Sequence, residues 1–308
     1  MSEKKLRYFT IPNLITLLNI LSGSIAVLLA IENDSNLTIS AYLIGISAIL
    51  DFLDGMTARL LHSYSEIGKQ LDSLADLISF GFAPTAILFQ MLKSSQKIQE
   101  FSIRLPFLDI LILSSSILIV MFSALRLAKF NVDTRQTDSF VGLPTPACAI
   151  MVASLPLIMN FDPDKLYILV ELLDVKMPFQ VMLAIIGFQI FVLESIKFYI
   201  PLIFILSFLL VAEFPMFSLK FKNLSFADNK IRYGFIITSV LMLLLIELMA
   251  IPFIIILYIV LSAIRNLVIR HRLRMLPFEL EDERDEMDDI KVELETEFRL
   301  FDEEIVTD

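Results

Sequence analysis

Asp51-Phe-Leu-Asp-Gly-Met-Thr-Ala-Arg59, followed after eight residues by Gly68-Lys-Gln-Leu-Asp-Ser-Leu-Ala-Asp76, sets four carboxylates inside a 308-residue chain that is 56% hydrophobic. Asp51 and Asp54 are three residues apart, and Asp72 and Asp76 are four apart. On helices each pair projects from a single face. Gly55 and Ala58 extend the first face with small residues, and Gly68 continues the second. Two helices meeting across a short bend at His62–Ser65 would therefore gather the four acids into one cluster.

Such a cluster has to be balanced. A carboxylate deep in a bilayer costs roughly 2.5–3.5 kcal/mol on insertion scales. Two bare carboxylates 4 Å apart repel by about 4 kcal/mol even at an effective dielectric near 20. Arg59 and Lys69 are the only cations close by in sequence. Divalent metal would balance the acids, and all-carboxylate ligation favours hard ions such as Mg²⁺ or Mn²⁺. Metal held by carboxylates beside an arginine calls in turn for a phosphate-bearing ligand, because such ions neutralise phosphoryl oxygens. Gly55 permits close approach of that ligand, and Arg59 suits bidentate contact with its phosphate oxygens. Close helix packing explains Gly55, Ala58 and Gly68 equally well, and the two roles are compatible.

The rest of the chain makes this a membrane protein. Mean hydropathy is +0.75, and the apolar runs are long enough to span. The net charge of −10 belongs to the C-terminus: residues 277–308 hold 15 acidic and 3 basic residues, and the remainder holds 20 and 22. A single cysteine, Cys148, excludes an intrachain disulfide, and two distant histidines, His62 and His271, exclude a Cys/His metal site. No nucleic-acid partner is expected.

The expected fold class is all-α: a polytopic membrane helix bundle of about eight transmembrane helices. Spans are read at 12–31, 39–60, 68–93, about 106–128, from Gly142 to about 160, 199–211, 233–249 and 251–269. The first exceeds a signal peptide's apolar region and no small-x-small cleavage site follows it. Positive charge sets the orientation. Lys4, Lys5, Arg7, Arg59, Lys69, Arg126, Lys129, Arg135, Lys220, Lys222, Lys230, Arg232 and the arginines after the last run fall on the inner side. The cluster end then faces the cytoplasm. Run 178–195 is also apolar, and counting it gives nine spans; with eight, 161–197 packs on the outer face or re-enters. The expected organisation is a membrane domain over 1–222 with an insertion at 161–197, a helical hairpin over 223–276, and an acidic cytoplasmic tail over 277–308.

Asp-x-x-Asp-Gly-x-x-Ala-Arg, eight residues, then Gly-x-x-x-Asp-x-x-x-Asp resembles the signature of the CDP-alcohol phosphatidyltransferases, and all eight fixed positions are present. The flanks, Ile11 to Gly23, Arg126 to Asn131, Phe140 to Ala147 and Pro215 to Lys220, resemble the integral-membrane bacterial and archaeal phosphatidylserine synthase branch of that family. The resemblance is good over 8–160, moderate over 199–222, thin over 161–197 and absent over the tail.

It implies a six-helix catalytic core, a pair of Mg²⁺ or Mn²⁺ ions, a homodimer, and transfer of the phosphatidyl group from CDP-diacylglycerol to L-serine with release of CMP in phospholipid biosynthesis. Asp51, Asp54, Asp72 and Asp76 are then metal ligands, and Asp76 is also the base for the alcohol proton. Gly55, Ala58, Arg59 and Asn13 are contacts to the CDP moiety. Arg126 and Lys129, three apart at the end of the fourth span, are candidates for the serine carboxylate or a phosphate, with Asn131 and Thr145 as polar contacts; positive-inside anchoring explains the two cations equally well. Alternatives are a sister activity with glycerol 3-phosphate or inositol phosphate as acceptor, and a divalent-cation or proton-coupled transporter. The transporter predicts acids spread through the membrane and repeated halves, whereas these four lie within 26 residues.

Overall fold

A computed structural model describes residues 9–132, 140–159, 179–194, 196–213, 215–216 and 229–275. The expected acidic tail, the bulk of the expected insertion and the inner-side charges at positions 4, 5, 7, 135, 220 and 222 lie outside these residues. Helix α1, Ile11–Glu32, opens where Thr10 Oγ1 accepts from the Asn13 backbone N–H at 3.4 Å and Pro12 occupies the first turn, a position where its missing donor costs nothing. Asn33 caps a short 3-10 turn, Asp34–Asn36, and helix α2, Leu37–Leu60, returns along α1. The chain reverses at His62, whose φ is +48°. Ser65 then caps helix α3, Glu66–Asp76, its Oγ accepting from Gly68 N–H at 3.0 Å. The bend therefore falls within His62–Ser65, as the spacing of the acids requires.

Helix α3 continues through a π-helical segment, Leu77–Phe82, into helix α4, Ala83–Ser95. Pro84 follows the segment and has no N–H to give to the preceding turn, a local reason for wider spacing there. Helices α5, Phe107–Ser114, and α6, Ile117–Val132, are divided where Ser115 and Ser116 hydroxyls donate back to the carbonyls of Ile112 and Leu113. Phe140–Val141 pairs antiparallel with Pro215–Met216. Gly142, at φ +78°, then lets the chain pass against the Leu209, Leu210 and Ala212 carbonyls into helix α7, Thr145–Met159.

Helices α8, Phe179–Glu194, and α9, Ile196–Val211, meet at a 75° bend. Helices α10, Lys230–Ile246, and α11, Ala250–Met275, form a hairpin. The rings of Phe235 and Tyr258 lie 5.9 Å apart, whereas 23 residues of straight helix would separate them by about 34 Å. By length and apolarity five helical runs among the described residues can cross a membrane, six if the bent pair is one span, and α7 is shorter. The helical membrane architecture holds. The count of eight is not reached on that criterion, because α7 is short, α8 and α9 join across a bend, and the hairpin is one apolar run by composition.

Burial runs opposite to that of a water-soluble bundle. The buried face of α1 is Pro12, Asn13, Thr16, Asn19, Ser22, Gly23, Ala26 and Ala30, while Leu28 is 70% exposed and Leu14, Leu18 and Leu21 also face out. In lipid, small and polar residues make the helix interface and leucines meet the acyl chains. At the tightest point a Cβ on Gly23 would stand 2.2 Å from Ser79 Oγ and 2.7 Å from Ser79 Cα. Gly23→Ala is therefore expected to cost about 1–3 kcal/mol of stability by overpacking. Gly45→Ala, with nothing within 4 Å of the new methyl, is expected to leave stability undiminished. Thermal unfolding in detergent micelles checks both.

Candidate active site

The second half of α2 and the C-terminal half of α3 bring the acids together. Asp51, Asp72 and Asp76 each present an oxygen such that all three lie within 4.8 Å of one another. An ion held at roughly 2.0–2.6 Å from each oxygen fits that span, and the donor set is hard and anionic. Asp54 shares the wall but is engaged differently: its Oδ2 accepts from Thr16 Oγ1 at 2.7 Å, and it is 5% exposed. Asp76 lies one helical turn deeper than Asp72, and its Oδ1 is enclosed without a hydrogen-bond partner among the described residues.

Asp51, Asp54 and Asp72 border a cavity of about 540 Å³, and Asp76 lies behind them. The cavity wall includes Asn13 and Thr16 from α1, Asp51, Asp54, Gly55, Ala58 and Arg59 from α2, Gly68, Lys69 and Asp72 from α3, the Ser63–Ser65 bend, and Phe130 from α6. Each small residue has a distinct place in it. Only the Arg59 guanidinium, at 3.9 Å, is near a Cβ built on Gly55, so that position opens onto the cavity. A Cβ on Gly68 would meet Asn13 Oδ1 at 3.1 Å, so Gly68 lets α1 close on α3. Arg59 is tethered to its own helix, Nε donating to the Gly55 carbonyl at 3.1 Å, with its remaining donors available to the cavity.

The cations on α6 separate. Arg126 is 8% exposed, lies within Coulombic reach of Asp76, and donates from one terminal nitrogen to Thr145 Oγ1 at 3.4 Å. Lys129 pairs with Glu213 at 2.9 Å on a more exposed surface. Asn131 Nδ2 donates to Ser73 Oγ at 2.8 Å, tying α6 to α3 beside Asp72. The arrangement thus unites Asp51, Asp54, Asp72, Asp76, Gly55, Ala58, Arg59 and Asn13, puts Arg126 at the back of the cluster, and turns Lys129 to another partner. Sequence reasoning assigned no role to Thr16, Ser73 or Phe130. The signal for Thr16 was available: Asn13, Thr16, Asn19 and Ser22 recur every third residue within an apolar run.

A polytopic helical membrane protein with a carboxylate-lined cavity at one end of its bundle is the class these features define. A model of the family "CDP-alcohol phosphatidyltransferase" matches residues 9–186, more than half of the chain, which therefore belongs to that family. Similar proteins include a CDP-diacylglycerol–serine O-phosphatidyltransferase of Helicobacter pylori, 36% identical over 154 residues, 49% of this chain and 59% of the relative. An archaetidylserine synthase of Methanothermobacter thermautotrophicus is 34% identical over 50% of this chain and 61% of its own length. A CDP-diacylglycerol–serine O-phosphatidyltransferase of Methanocaldococcus jannaschii is 34% identical over 56% of this chain and 75% of its own. The chain spans about three-fifths of the length of the first two of these relatives.

Removing a hydrogen bond that orients a metal-ligating carboxylate typically costs about 10–100-fold in metal affinity. Thr16→Val, which keeps the shape and loses the donor to Asp54, is expected to weaken Mn²⁺ binding within that range. Asp51→Asn is expected to weaken it further. Electron paramagnetic resonance titration of the purified protein in lipid nanodiscs measures both.

Proposed function

We propose that this chain is a CDP-diacylglycerol–serine O-phosphatidyltransferase, a multi-pass protein of the inner membrane whose active site faces the cytoplasm. The observation that carries the reading is the convergence of Asp51, Asp72 and Asp76 within 4.8 Å beside a cavity lined by Asp51, Asp72, Gly55 and Arg59. Two of the relatives named above are called CDP-diacylglycerol–serine O-phosphatidyltransferases and the third an archaetidylserine synthase, which supports serine as the acceptor over glycerol 3-phosphate or inositol phosphate. Arg59 and Lys69 at the cavity and Lys129 nearby put positive charge at this end of the bundle, which supports the inner-side orientation. The family resemblance extends the proposal to a homodimer.

Asp51, Asp54, Asp72 and Asp76 would hold two Mg²⁺ or Mn²⁺ ions. Bound there, the ions would neutralise pyrophosphate oxygens and polarise phosphorus. Gly55 and Ala58 leave room for the CDP moiety, with Asn13 beside it, and Arg59 donates to its phosphate oxygens. Arg126, buried at the back of the cluster, holds the serine carboxylate, and so directs the serine hydroxyl toward Asp76. The serine oxygen forms a bond to the phosphatidyl phosphorus, the bond from that phosphorus to the CMP oxygen breaks, and the hydroxyl proton passes to the Asp76 carboxylate. Lys129, paired with Glu213, contributes to the charge of the surface and not to the pocket.

Purified protein supplied with CDP-diacylglycerol, labelled L-serine and Mn²⁺ is expected to yield labelled lipid and CMP. Label entering lipid from glycerol 3-phosphate or inositol phosphate instead would assign a sister activity. Asp76→Asn is expected to lose turnover while retaining CDP binding, and wild-type rates in that variant would refute the base assignment. Arg126→Lys replaces a planar fork by a point charge. It is expected to raise the KM for serine by about tenfold, the equivalent of one lost hydrogen bond to a charged group, with the KM for CDP-diacylglycerol unchanged.

A further inference from the structure

Asn19 is fully buried, and neither its Nδ2 nor its Oδ1 has a hydrogen-bond partner among the described residues. Leaving a buried amide unbonded is costly, and apolar residues would fill the same space without that cost. Its location suggests why an amide stands there. The Asn19 backbone carbonyl accepts from Ser79 Oγ at 3.1 Å and from Ser47 Oγ at 3.5 Å. Ser79 follows Asp76 by three residues and Ser47 precedes Asp51 by four. Asn19 is thus one helical turn below the acids, on the interface where Gly23 packs against Ser79. Side chains on a helix tilt toward its N-terminus, and the N-terminus of α1 lies at the cluster. The Asn19 amide therefore rises from the serine level toward Asp51 and Asp76. There Asp76 Oδ1, an acceptor, is also enclosed and has no hydrogen-bond partner among the described residues. One turn higher on the same face of α1, Thr16 already donates to Asp54.

We propose that Asn19 is a positioning residue for Asp76: its Nδ2 donates to Asp76 Oδ1 through one buried water, holding the carboxylate so that its other oxygen is directed at Asp51 and Asp72. A polar site with two to four partners is where a buried water is retained. Residues Thr16 and Asn19 then form a ladder on α1 that orients one acid from each of the two facing helices. The inference rests on the metal-binding reading of the cluster given above.

The test uses the full chain in lipid nanodiscs and Mn²⁺ alone as the probe. Asn19→Leu is expected to weaken Mn²⁺ binding by about tenfold or more, the usual range for a lost outer partner of a ligand. Its metal-free melting temperature should fall only slightly, because the side chain keeps a similar size and one water-mediated hydrogen bond is lost. Ser40→Ala, which removes an equally buried hydroxyl bonded to the Ala26 carbonyl, should leave Mn²⁺ affinity unchanged. In an Asp76→Asn background, Asn19→Leu should cause no further loss. Wild-type affinity in Asn19→Leu, or a full additional loss in the Asp76→Asn background, overturns the proposal. If Asn19→Leu does not fold, Asn19→Ser, too short to reach, is read by the same two criteria. A wild-type protein that binds no Mn²⁺ would instead defeat the metal reading itself.

Discussion

Three carboxylates whose oxygens lie within 4.8 Å of one another, at one end of an apolar helix bundle, repel one another and resist desolvation. Much of the surrounding structure follows from holding them there. The left-handed residue at His62 and the Ser65 cap turn α2 into α3 within a few residues, so that Asp51 faces Asp72 and Asp76. Gly68 lets Asn13 press against α3, and Gly23 lets α1 press against the π segment. Small residues in a membrane bundle bring backbones close; here that closeness keeps opposed charges of like sign in register.

Electrostatics on the two sides of the cluster differ. On the cavity side, Arg59 and Lys69 supply exposed positive charge beside a pocket of about 540 Å³. On the buried side, Arg126 stands within Coulombic reach of Asp76, anchored on Thr145. Cations thus stand at the mouth of the cavity, acids on its wall, and a further cation behind those acids, outside the cavity lining. This layered order suits a ligand that carries phosphates, whose own negative charge requires counter-ions. It does not resemble a conduction path, where acids are spaced through the depth of the membrane.

The interior face of α1 is polar near the cluster and turns to alanine farther along. Along α1 the buried face changes from Asn13, Thr16, Asn19 and Ser22 near the site to Ala26 and Ala30 at the far end. Along the second arm Asp72, Asp76 and Ser79 are followed by buried Ile87 and Leu88, with Thr85 and Gln90 also buried, Gln90 bonded to Asp34. The π segment, Leu77–Phe82, falls between Asp76 and these residues. Such segments often sit at functional sites, and this one sets the rotation of Ser79 relative to Asp76 on the face that meets α1.

Local sequence was sufficient for the helices, the bend and the acid cluster, because helical period and turn chemistry act within a few residues. The i, i+3 and i, i+4 acids, Pro12 at a helix start and the His62–Ser65 turn are all of this kind. The number of spans was not legible: whether 178–195 and 199–211 are one bent unit, and whether 230–268 folds back, depend on contacts such as that between Phe235 and Tyr258. Nor was the fate of individual polar side chains. Arg126 and Lys129 read alike in the sequence, yet one is buried by Asp76 and the other paired with Glu213, 84 residues away. Sequence by itself determined that four acids share two helix faces and must be neutralised, since spacing and charge are local properties. Only the tertiary structure decided which oxygens converge, that Thr16 takes one from Asp54, and that Asn19 lies beneath the set, because those outcomes depend on how helices distant in the chain pack against one another.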